Sequence, residues 1–202
     1  MIQTIPPPAE RIAPFFTLEL RNIRLTAAQF QRICCDNRDL RLELTSNGDL
    51  IIMPPTGSRT GQRNFNLNGQ LSAWVKTDGT GIAFDSSTGF TLPDGAILSP
   101  DASWVRRERW NALSEEEQEG FAPLCPDFVI ELTSHSNTLK SLQDKMQEYM
   151  ENGAQMAWLI DPLERRLYFY RTGQEVETLI DPATVSADPI LRGFVLQLAE
   201  LW

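Results

Sequence analysis

The chain has 202 residues, of which 42% are apolar and 22% charged, a composition typical of a globular domain with a sizeable core. Its formal net charge of −9 argues against general, charge-driven nucleic-acid binding, so any contact with DNA must be local or assisted by metal ions. The three cysteines have neither disulfide nor zinc-site spacing, and no apolar run or signal-peptide pattern points to a membrane or to export, so we expect a cytoplasmic protein.

The N-terminal segment differs in composition from the rest of the chain. Residues 1–20 contain four prolines, which predict an extended arm ahead of a single domain over residues 21–202. A capping box of Thr26 and Gln29 predicts that a short helix follows the arm.

A hairpin is the clearest local prediction of the sequence. Two alternating strands flank Asn47 and Gly48, which predicts a hairpin closed by a two-residue turn. In its first strand Glu43 alternates with leucines. Its carboxylate is therefore either solvated or directed into a polar cleft, and the sequence leaves both possibilities open.

The middle of the chain predicts two helices and several short strands. Residues 62–76 form the first helix, with leucine, tryptophan and valine on one face. The segment GIAFDSSTGFTL follows as a strand pair or a bulged strand, and Pro100 and Asp101 then open a short apolar strand. A capping box of Ser114 and Glu117 predicts a brief surface helix.

The stretch PDFVIELTSHSNTLKSLQDKMQEY predicts a buried strand followed by a helix. The strand contains Glu131 among apolar neighbours, where an unpaired carboxylate is costly. Ser136 and Asn137 are candidate N-caps, and an apolar stripe then recurs at helical spacing until Gly153. Lys145 lies on the flank of that stripe, so its ammonium group can reach the end of the strand. The strand, its acid and the returning lysine predict an active site.

The C-terminal part of the chain completes the predicted fold. It contains three further strands, QMAWLID, RRLYFYR and EVETLI, and a last hairpin-like piece before Trp202. With one βα crossover at its centre, the chain fits a mixed central β-sheet flanked by helices, of the α/β or α+β class. We expect RRLYFYR and EVETLI to be exposed and to leave room for a homodimer.

Several kinds of active site are missing from the sequence. The single histidine, His135, excludes mechanisms that need two imidazoles, and its polar loop predicts a solvent-facing side chain. No glycine-rich phosphate loop and no nucleophile elbow is present. Carboxylates and lysine are left as the candidate catalytic groups.

One acid stands out as the partner of Glu131. Asp127 lies too far along the same strand, and Asp94 and Asp161 are expected in turns. Asp101 is preferred, because its strand can pair beside that of Glu131 and bring the two carboxylates to about 5 Å. Two such acids with a nearby lysine suit metal-assisted phosphodiester cleavage, although acids with lysines in reach also occur on many surfaces without a function.

Two motifs give the sequence a family resemblance. Pro100 and Asp101, followed after thirty residues by Glu131, Leu132 and Thr133, resemble the motif of the PD-(D/E)XK nuclease superfamily, with Thr133 where its lysine normally stands. From about residue 40 to the C-terminus, the chain resembles the Uma-two-like family of restriction endonucleases. That wider resemblance rests on the segments LELTSNGDLIIMPPTG, FTLPDGAILSPDASWV, CPDFVIELTSHSNTLKSLQDKMQEYMENGAQMAWLIDP and LRGFVLQLAELW.

The resemblance implies a restriction-endonuclease-like core and a metal-dependent endonuclease that hydrolyses DNA phosphodiester bonds. It implies Asp101 and Glu131 as ligands of Mg²⁺, for which Mn²⁺ can substitute, and the carbonyl of Leu132 as a backbone ligand. In this branch the missing lysine comes from the following helix, which gives Lys145 the role of catalytic lysine. Glu43 would be an additional acid near the metal.

An acidic protein that cuts DNA needs local positive charge. We expect a basic lip around the site, formed by Arg59, Arg63, Lys76, Arg106, Arg107 and Arg109. Two alternatives remain open: a non-catalytic nuclease-fold module kept for protein interaction, and an ordinary hydrolase of small phosphoesters. Mg²⁺ affinity distinguishes the first alternative, and turnover of a chromogenic phosphodiester without DNA distinguishes the second.

Overall fold

The computed structural model of the protein describes residues 16–20, 23–134 and 138–202. The predicted N-terminal arm lies outside the described residues up to position 15, and so do His135 and the candidate N-caps Ser136 and Asn137.

The described residues alternate between strands and helices. The strands are β1 (Phe16–Leu18), β2 (Arg41–Leu44), β3 (Leu50–Met53), β4 (Gly81–Asp85), β5 (Phe90–Thr91), β6 (Ile97–Leu98), β7 (Ala102–Arg106), β8 (Phe128–Leu132), β9 (Met156–Asp161), β10 (Arg166–Arg171), β11 (Glu177–Ile180), β12 (Thr184–Ser186) and β13 (Val195–Gln197). The helices are α1 (Ala27–Asp36), α2 (Ser58–Asp78), α3 (Arg107–Asn111), α4 (Glu115–Glu119) and α5 (Leu139–Glu151), and a 3₁₀ turn spans Leu198–Glu200. None of the helices in this described part combines the length and the apolar character needed to cross a membrane.

A six-stranded mixed sheet forms the centre of the fold. Its strand order is β11-β10-β9-β8-β7-β4. Strands β8 and β9 run parallel because α5 crosses between them, whereas the other pairs of this sheet are antiparallel. One face packs on α2 and the C-terminal segment, and the other packs on α5. The predicted mixed central sheet flanked by helices, with one βα crossover, is confirmed.

A second sheet brings the hairpin to the end of the central sheet. Its order is β1-β3-β2-β6-β5, with antiparallel pairing throughout. The predicted hairpin of β2 and β3 is confirmed, but its turn has three residues, 46–48, because Thr45 and Asp49 still pair with each other. Gly48 has a φ of 89°, the left-handed conformation that a three-residue hairpin loop requires at its last position.

Other local predictions are confirmed or revised. Both capping boxes form, at the start of α1 and of α4. Helix α2 is longer than predicted and ends at Gly79, which is left-handed. The segment GIAFDSSTGFTL does not pair with itself, since β4 joins the central sheet beside β7 and β5 joins the second sheet beside β6.

The expectation of an exposed RRLYFYR segment is wrong. Strand β10 lies between β9 and β11, and its central residues, Leu167 to Tyr170, are buried. The arginines at its two ends suggested exposure, but the four-residue apolar and aromatic run between them is what a strand covered on both faces requires. The segment EVETLI contributes β11, the edge strand, where Ile180 is 75% exposed.

One tight backbone contact in the central sheet yields a stability prediction. A Cβ at Gly81 would lie 2.2 Å from Cε2 of Trp104 and 2.4 Å from the carbonyl oxygen of Val105. We therefore expect Gly81→Ala to lower the free energy of unfolding by about 1–3 kcal/mol, measured by chemical denaturation. Gly69→Ala is the control, because no atom lies within 4 Å of its Cβ position and alanine favours helix α2. Equal stability of Gly81→Ala and the wild type would show that the Trp104 ring moves aside at little cost.

Candidate active site

A cleft lies where the two sheets meet, between the start of α2 and the side of α5. Its volume is about 280 Å³, and its walls include residues from β2, β3, β8, α2 and α5. Among its lining residues are the four side chains predicted for the site, Glu43, Asp101, Glu131 and Lys145, together with Leu132. The structure thus brings together residues that are up to 102 positions apart in the sequence.

Strand pairing sets Asp101 beside Glu131. Ala102 lies opposite Ile130 in the antiparallel pair of β7 and β8, so the residue before Ala102 lies next to Glu131. This is the neighbouring-strand arrangement that the sequence predicted for the two acids.

Two hydrogen-bond donors and a more distant guanidinium group orient the carboxylate of Asp101. The backbone N–H of Leu132 donates to Oδ2 at 2.9 Å, and Nδ2 of Asn64 donates to Oδ1 at 3.2 Å. Nη2 of Arg41 lies 4.0 Å from the same Oδ1. Burial raises the pKa of Asp101, and the hydrogen bond from Leu132 and the positive charges of Arg41 and Lys145 offset part of that effect. The carboxylate is held in one orientation at the floor of the cleft.

Lys145 joins the other two acids. Its Nζ lies 2.8 Å from Oε1 of Glu43 and 2.8 Å from Oε1 of Glu131. Glu43 also accepts a hydrogen bond from the backbone N–H of Ser99 at 2.8 Å, and Glu131 accepts one from the Tyr149 hydroxyl at 3.3 Å. Of the two possibilities left open for Glu43, the structure selects the polar cleft, because only 3% of the residue is exposed.

The electrostatics of this cluster follow from its burial. The pKa of Glu131 is raised to about 7, first by burial and then by the charges of Asp101 and Glu43, which together outweigh the lowering effect of the Lys145 charge. Burial alone would lower the pKa of Lys145, but the charges of Glu131 and Glu43 outweigh burial and raise it. Lys145 is therefore a fixed positive charge. Burial, followed by the charge of Glu131, raises the pKa of Tyr149 well above its ordinary value, so its hydroxyl stays a donor.

Helix α5 places Lys145 by burying one of its faces. The helix begins after Thr138, whose hydroxyl accepts a hydrogen bond from the backbone N–H of Ser141. Leu142, Met146 and Tyr149 are buried, and Lys145 lies on the flank of this stripe with its Nζ 5.8 Å from the centre of the Tyr149 ring. The geometry matches the flank position predicted from helical spacing.

Thr133 occupies the position of the superfamily lysine but takes no part in the Lys145 cluster. Its hydroxyl donates to Oδ1 of Asp161 at 3.0 Å, which ties the end of β8 to the end of β9. Asp161 also accepts hydrogen bonds from the backbone N–H groups of Leu163 and Glu164, as its predicted turn role requires. Thr133 therefore anchors the strand end that presents Glu131.

Sequence reasoning missed the amide side chains of α2. Asn64 holds the carboxylate of Asp101, and Nδ2 of Asn68 donates to the backbone carbonyl of Asp101 at 3.0 Å and to that of Asn64 at 2.9 Å. The two asparagines are four residues apart on the helix face beside β7. Their spacing was the available signal, but polar residues on a helix are ordinarily solvated, so spacing alone did not distinguish them.

The predicted basic lip does not form as one surface. Arg106 and Arg109 pair with Asp127, which is buried at the opposite end of β7 from Asp101. Arg107 donates to the backbone carbonyls of Gly79 and Gly81 near the same far end. Of the six predicted residues, only Arg59 and Arg63 lie in the first turns of α2, near the cleft, while Lys76 is in its last turn.

The donor groups of the cleft suit a hard divalent cation that keeps part of its water shell. Asp101 and Glu131 offer two carboxylates on neighbouring strands, and in the described residues no three or more His, Cys, Asp and Glu side chains form a ready metal cage. Mg²⁺ is commonly bound by one or two carboxylates with several waters retained.

Comparisons with a family model and with solved structures both give matches. The sequence model of the Uma2 family, described as "Putative restriction endonuclease", matches residues 27–199. Among solved structures, the chain is similar to a protein from Anabaena variabilis described as "a putative nuclease belonging to DUF820". The TM-score is 0.69 at 22% identity, and the match covers 88% of this chain and 97% of that chain. The likeness shows a shared fold and confirms the predicted restriction-endonuclease-like core. No curated protein matches the chain.

Proposed function

The chain belongs to the Uma2 family of restriction endonucleases, and from that premise we propose that it is a metal-dependent endonuclease that hydrolyses phosphodiester bonds of DNA. The observation that supports this proposal most directly is the cluster of Asp101, Glu131 and Lys145 in one cleft, with Nζ of Lys145 2.8 Å from Glu131. Metal-assisted phosphodiester hydrolysis needs carboxylates that can hold the metal ion and a positive charge near the phosphate, and this cluster offers both.

Asp101, Glu131 and the carbonyl of Leu132 would hold Mg²⁺, with Mn²⁺ as a possible substitute. Bound there, the ion would supply Lewis-acid stabilisation of charge on the phosphate and a water of lowered pKa. Asp101 is kept in place by Leu132 N–H and Asn64, so its carboxylate needs little reorientation to act as a ligand.

Lys145 is proposed to stabilise the transition state. In hydrolysis, water adds to phosphorus, one P–O ester bond breaks, and the departing oxygen takes a proton. Lys145 keeps its charge because its pKa is raised, so its ammonium group can donate a hydrogen bond to a phosphate oxygen as negative charge develops. Glu43, hydrogen-bonded to Lys145 and Ser99, orients that ammonium group.

Metal binding tests the proposal before any recognition sequence is known. We expect Mn²⁺ and Mg²⁺ to bind the wild type in isothermal titration calorimetry, and Asp101→Ala and Glu131→Ala to lose that binding. The control is Asp144→Asn, which removes an acid at the exposed rim of the same cleft that is paired with Lys140. Binding that is unchanged in all three variants would contradict the assigned ligands. Cleavage of plasmid DNA by the wild type, and not by Glu131→Ala, is the second measurement.

A non-catalytic interaction module is the second candidate function. The observation that favours it is the ammonium group of Lys145, which already compensates Glu43 and Glu131 without a metal ion. If the wild type binds neither Mg²⁺ nor Mn²⁺, this candidate replaces the nuclease. A homodimer and a cytoplasmic location stay predictions from the sequence.

A further inference from the structure

The two walls of the cleft differ in charge. On the α5 side, Asp144 and Glu148 line the cleft. On the other side, helix α2 contributes Thr60 to the lining, and between Gly57 and Thr77 its sequence contains Arg59, Arg63 and Lys76 and no acid. In a chain with a net charge of −9, this acid-free stretch favours approach of a polyanion to the cleft from the α2 side.

The outward face of α2 is also apolar at its centre. Phe65 is 79% exposed, the highest value among the large apolar side chains of the described residues. It lies opposite the buried face formed by Leu67 and Leu71. A single exposed phenylalanine needs no functional explanation, so Phe65 supports a binding role only together with the basic residues of the same helix and the cleft beside it.

Around Phe65, the outward face of α2 carries small residues that allow a partner to approach the helix closely. Gly61 and Gly69, one helical turn before and after Phe65, have no atom within 4 Å of their Cβ positions. Gln62 is exposed beside them and offers an amide group. An α-helix fits the major groove of duplex DNA, where an amide can pair with adenine and an apolar side chain can contact the methyl group of thymine.

We propose that the outward face of α2, centred on Phe65, is the DNA-docking surface of the protein and enters the major groove. The inference rests on the proposed nuclease function and adds the element that engages the substrate. Phe65 is five residues from Thr60 at the cleft, which is about 7 Å along the helix axis. That is about the spacing of successive phosphates, so a strand whose groove is occupied by α2 passes the cleft. Arg59 lies one residue beyond Thr60, toward the N-terminus of α2, and would contact a phosphate.

Other exposed positions do not make this combination. The edge strand β11 exposes Ile180, but Glu177 lies in the same strand and pairs with Arg171. Arg106 and Arg109 compensate Asp127 at the far end of the central sheet. Helix α2 combines an exposed aromatic ring with Arg59 and a position beside the cleft, whereas its Arg63 lies on the opposite side of the helix from Phe65 and donates to the backbone carbonyl of Leu201.

Binding of a mixed-sequence duplex of about 30 base pairs, measured by fluorescence anisotropy in EDTA, tests the proposal without cleavage. We expect Phe65→Ala to weaken binding about tenfold, and Arg59→Gln to reduce the slope of log K against log salt by about 0.9. The control is Val176→Ala, an exposed apolar truncation just before β11, at the end of the central sheet remote from the cleft. It should bind as the wild type does. Thermal melting checks that all three variants fold.

The possible outcomes separate this inference from the proposed function. If the wild type binds duplex and Phe65→Ala binds equally well, the docking surface is wrong while the nuclease proposal stands on its metal data. If Phe65→Ala instead changes the sedimentation coefficient and leaves DNA affinity intact, a second copy of the chain covers this face and the inference is overturned. If the wild type binds no duplex at low salt, both the proposed docking surface and the proposal that DNA is the substrate are wrong.

Discussion

Lys145→Met is expected to abolish most nuclease activity and to destabilise the protein by about 3–5 kcal/mol at pH 8, because two buried carboxylates lose their shared cation. The side chains of Glu43 and Glu131 are only 4% and 6% exposed, so solvent replaces little of the interaction that the ammonium group supplies. Loss of a positive charge at the scissile phosphate should lower kcat by about 10²–10³-fold. Chemical denaturation and single-turnover cleavage of plasmid DNA measure the two effects.

The destabilisation by Lys145→Met should shrink as the pH falls. The charge of Lys145 lowers the pKa of Glu131, so its removal raises that pKa further. At pH 5 Glu131 of the variant takes up a proton, and its neutral carboxyl group is less costly to bury. Lys140→Met is the matched control, since Lys140 lies on the same helix but is 82% exposed at its side chain and pairs with Asp144 at the rim. Its stability should stay within about 0.5 kcal/mol of the wild type. Equal losses for both lysines would contradict the role assigned to the buried cluster.

Local patterns predicted most of the elements because each depends on neighbours in the sequence. The capping box of Thr26 and Gln29, the β2–β3 hairpin and the crossover from β8 to β9 all have such signals. The strands that pair with the two halves of GIAFDSSTGFTL, and the burial of β10, depend instead on which strands lie beside them in the sheets. No local sequence pattern encodes that arrangement. An Asn-Gly pair marks the hairpin but does not fix whether two or three residues form its loop.

The candidate site was predictable where a motif fixed the spacing and unpredictable where tertiary contacts supplied the partner. Asp101, Glu131 and Lys145 were found because strand pairing and helical spacing constrain them. Asn64 was missed, since its amide contacts Asp101 only after α2 packs across β7. The prediction of a basic lip was wrong for the same reason. Arg106 and Arg109 lie close to Asp101 in sequence, but β7 separates them from Asp101 by its full length. At that opposite end of the sheet, both arginines pair with Asp127.

Glu131→Gln is expected to make the protein more stable at neutral and alkaline pH while it removes metal binding. The pKa of Glu131 is raised from 4.5 to about 7 by burial, as the first cause, and by the charges of Asp101 and Glu43. Between these two values the folded state binds more protons than the unfolded state, so the contribution of Glu131 to stability falls as the pH rises through this window and stays low above it. Ionised Glu131 therefore lowers the stability of the metal-free protein.

The difference between the unfolding free energies of Glu131→Gln and the wild type isolates this one group from the other titrating acids. It should be near zero at pH 4.5 and rise to about 1–3 kcal/mol at pH 8. Asp144→Asn, at the hydrated rim of the cleft, should show no such rise. Added Mg²⁺ should stabilise the wild type at pH 8 and leave Glu131→Gln unchanged, because a ligand that binds only the folded state raises its stability. Lower stability of Glu131→Gln than of the wild type at pH 8 would contradict this prediction. It would show that the hydrogen bonds of Glu131 with Lys145 and Tyr149 outweigh the cost of its buried charge. The carboxylate would then stabilise the metal-free fold.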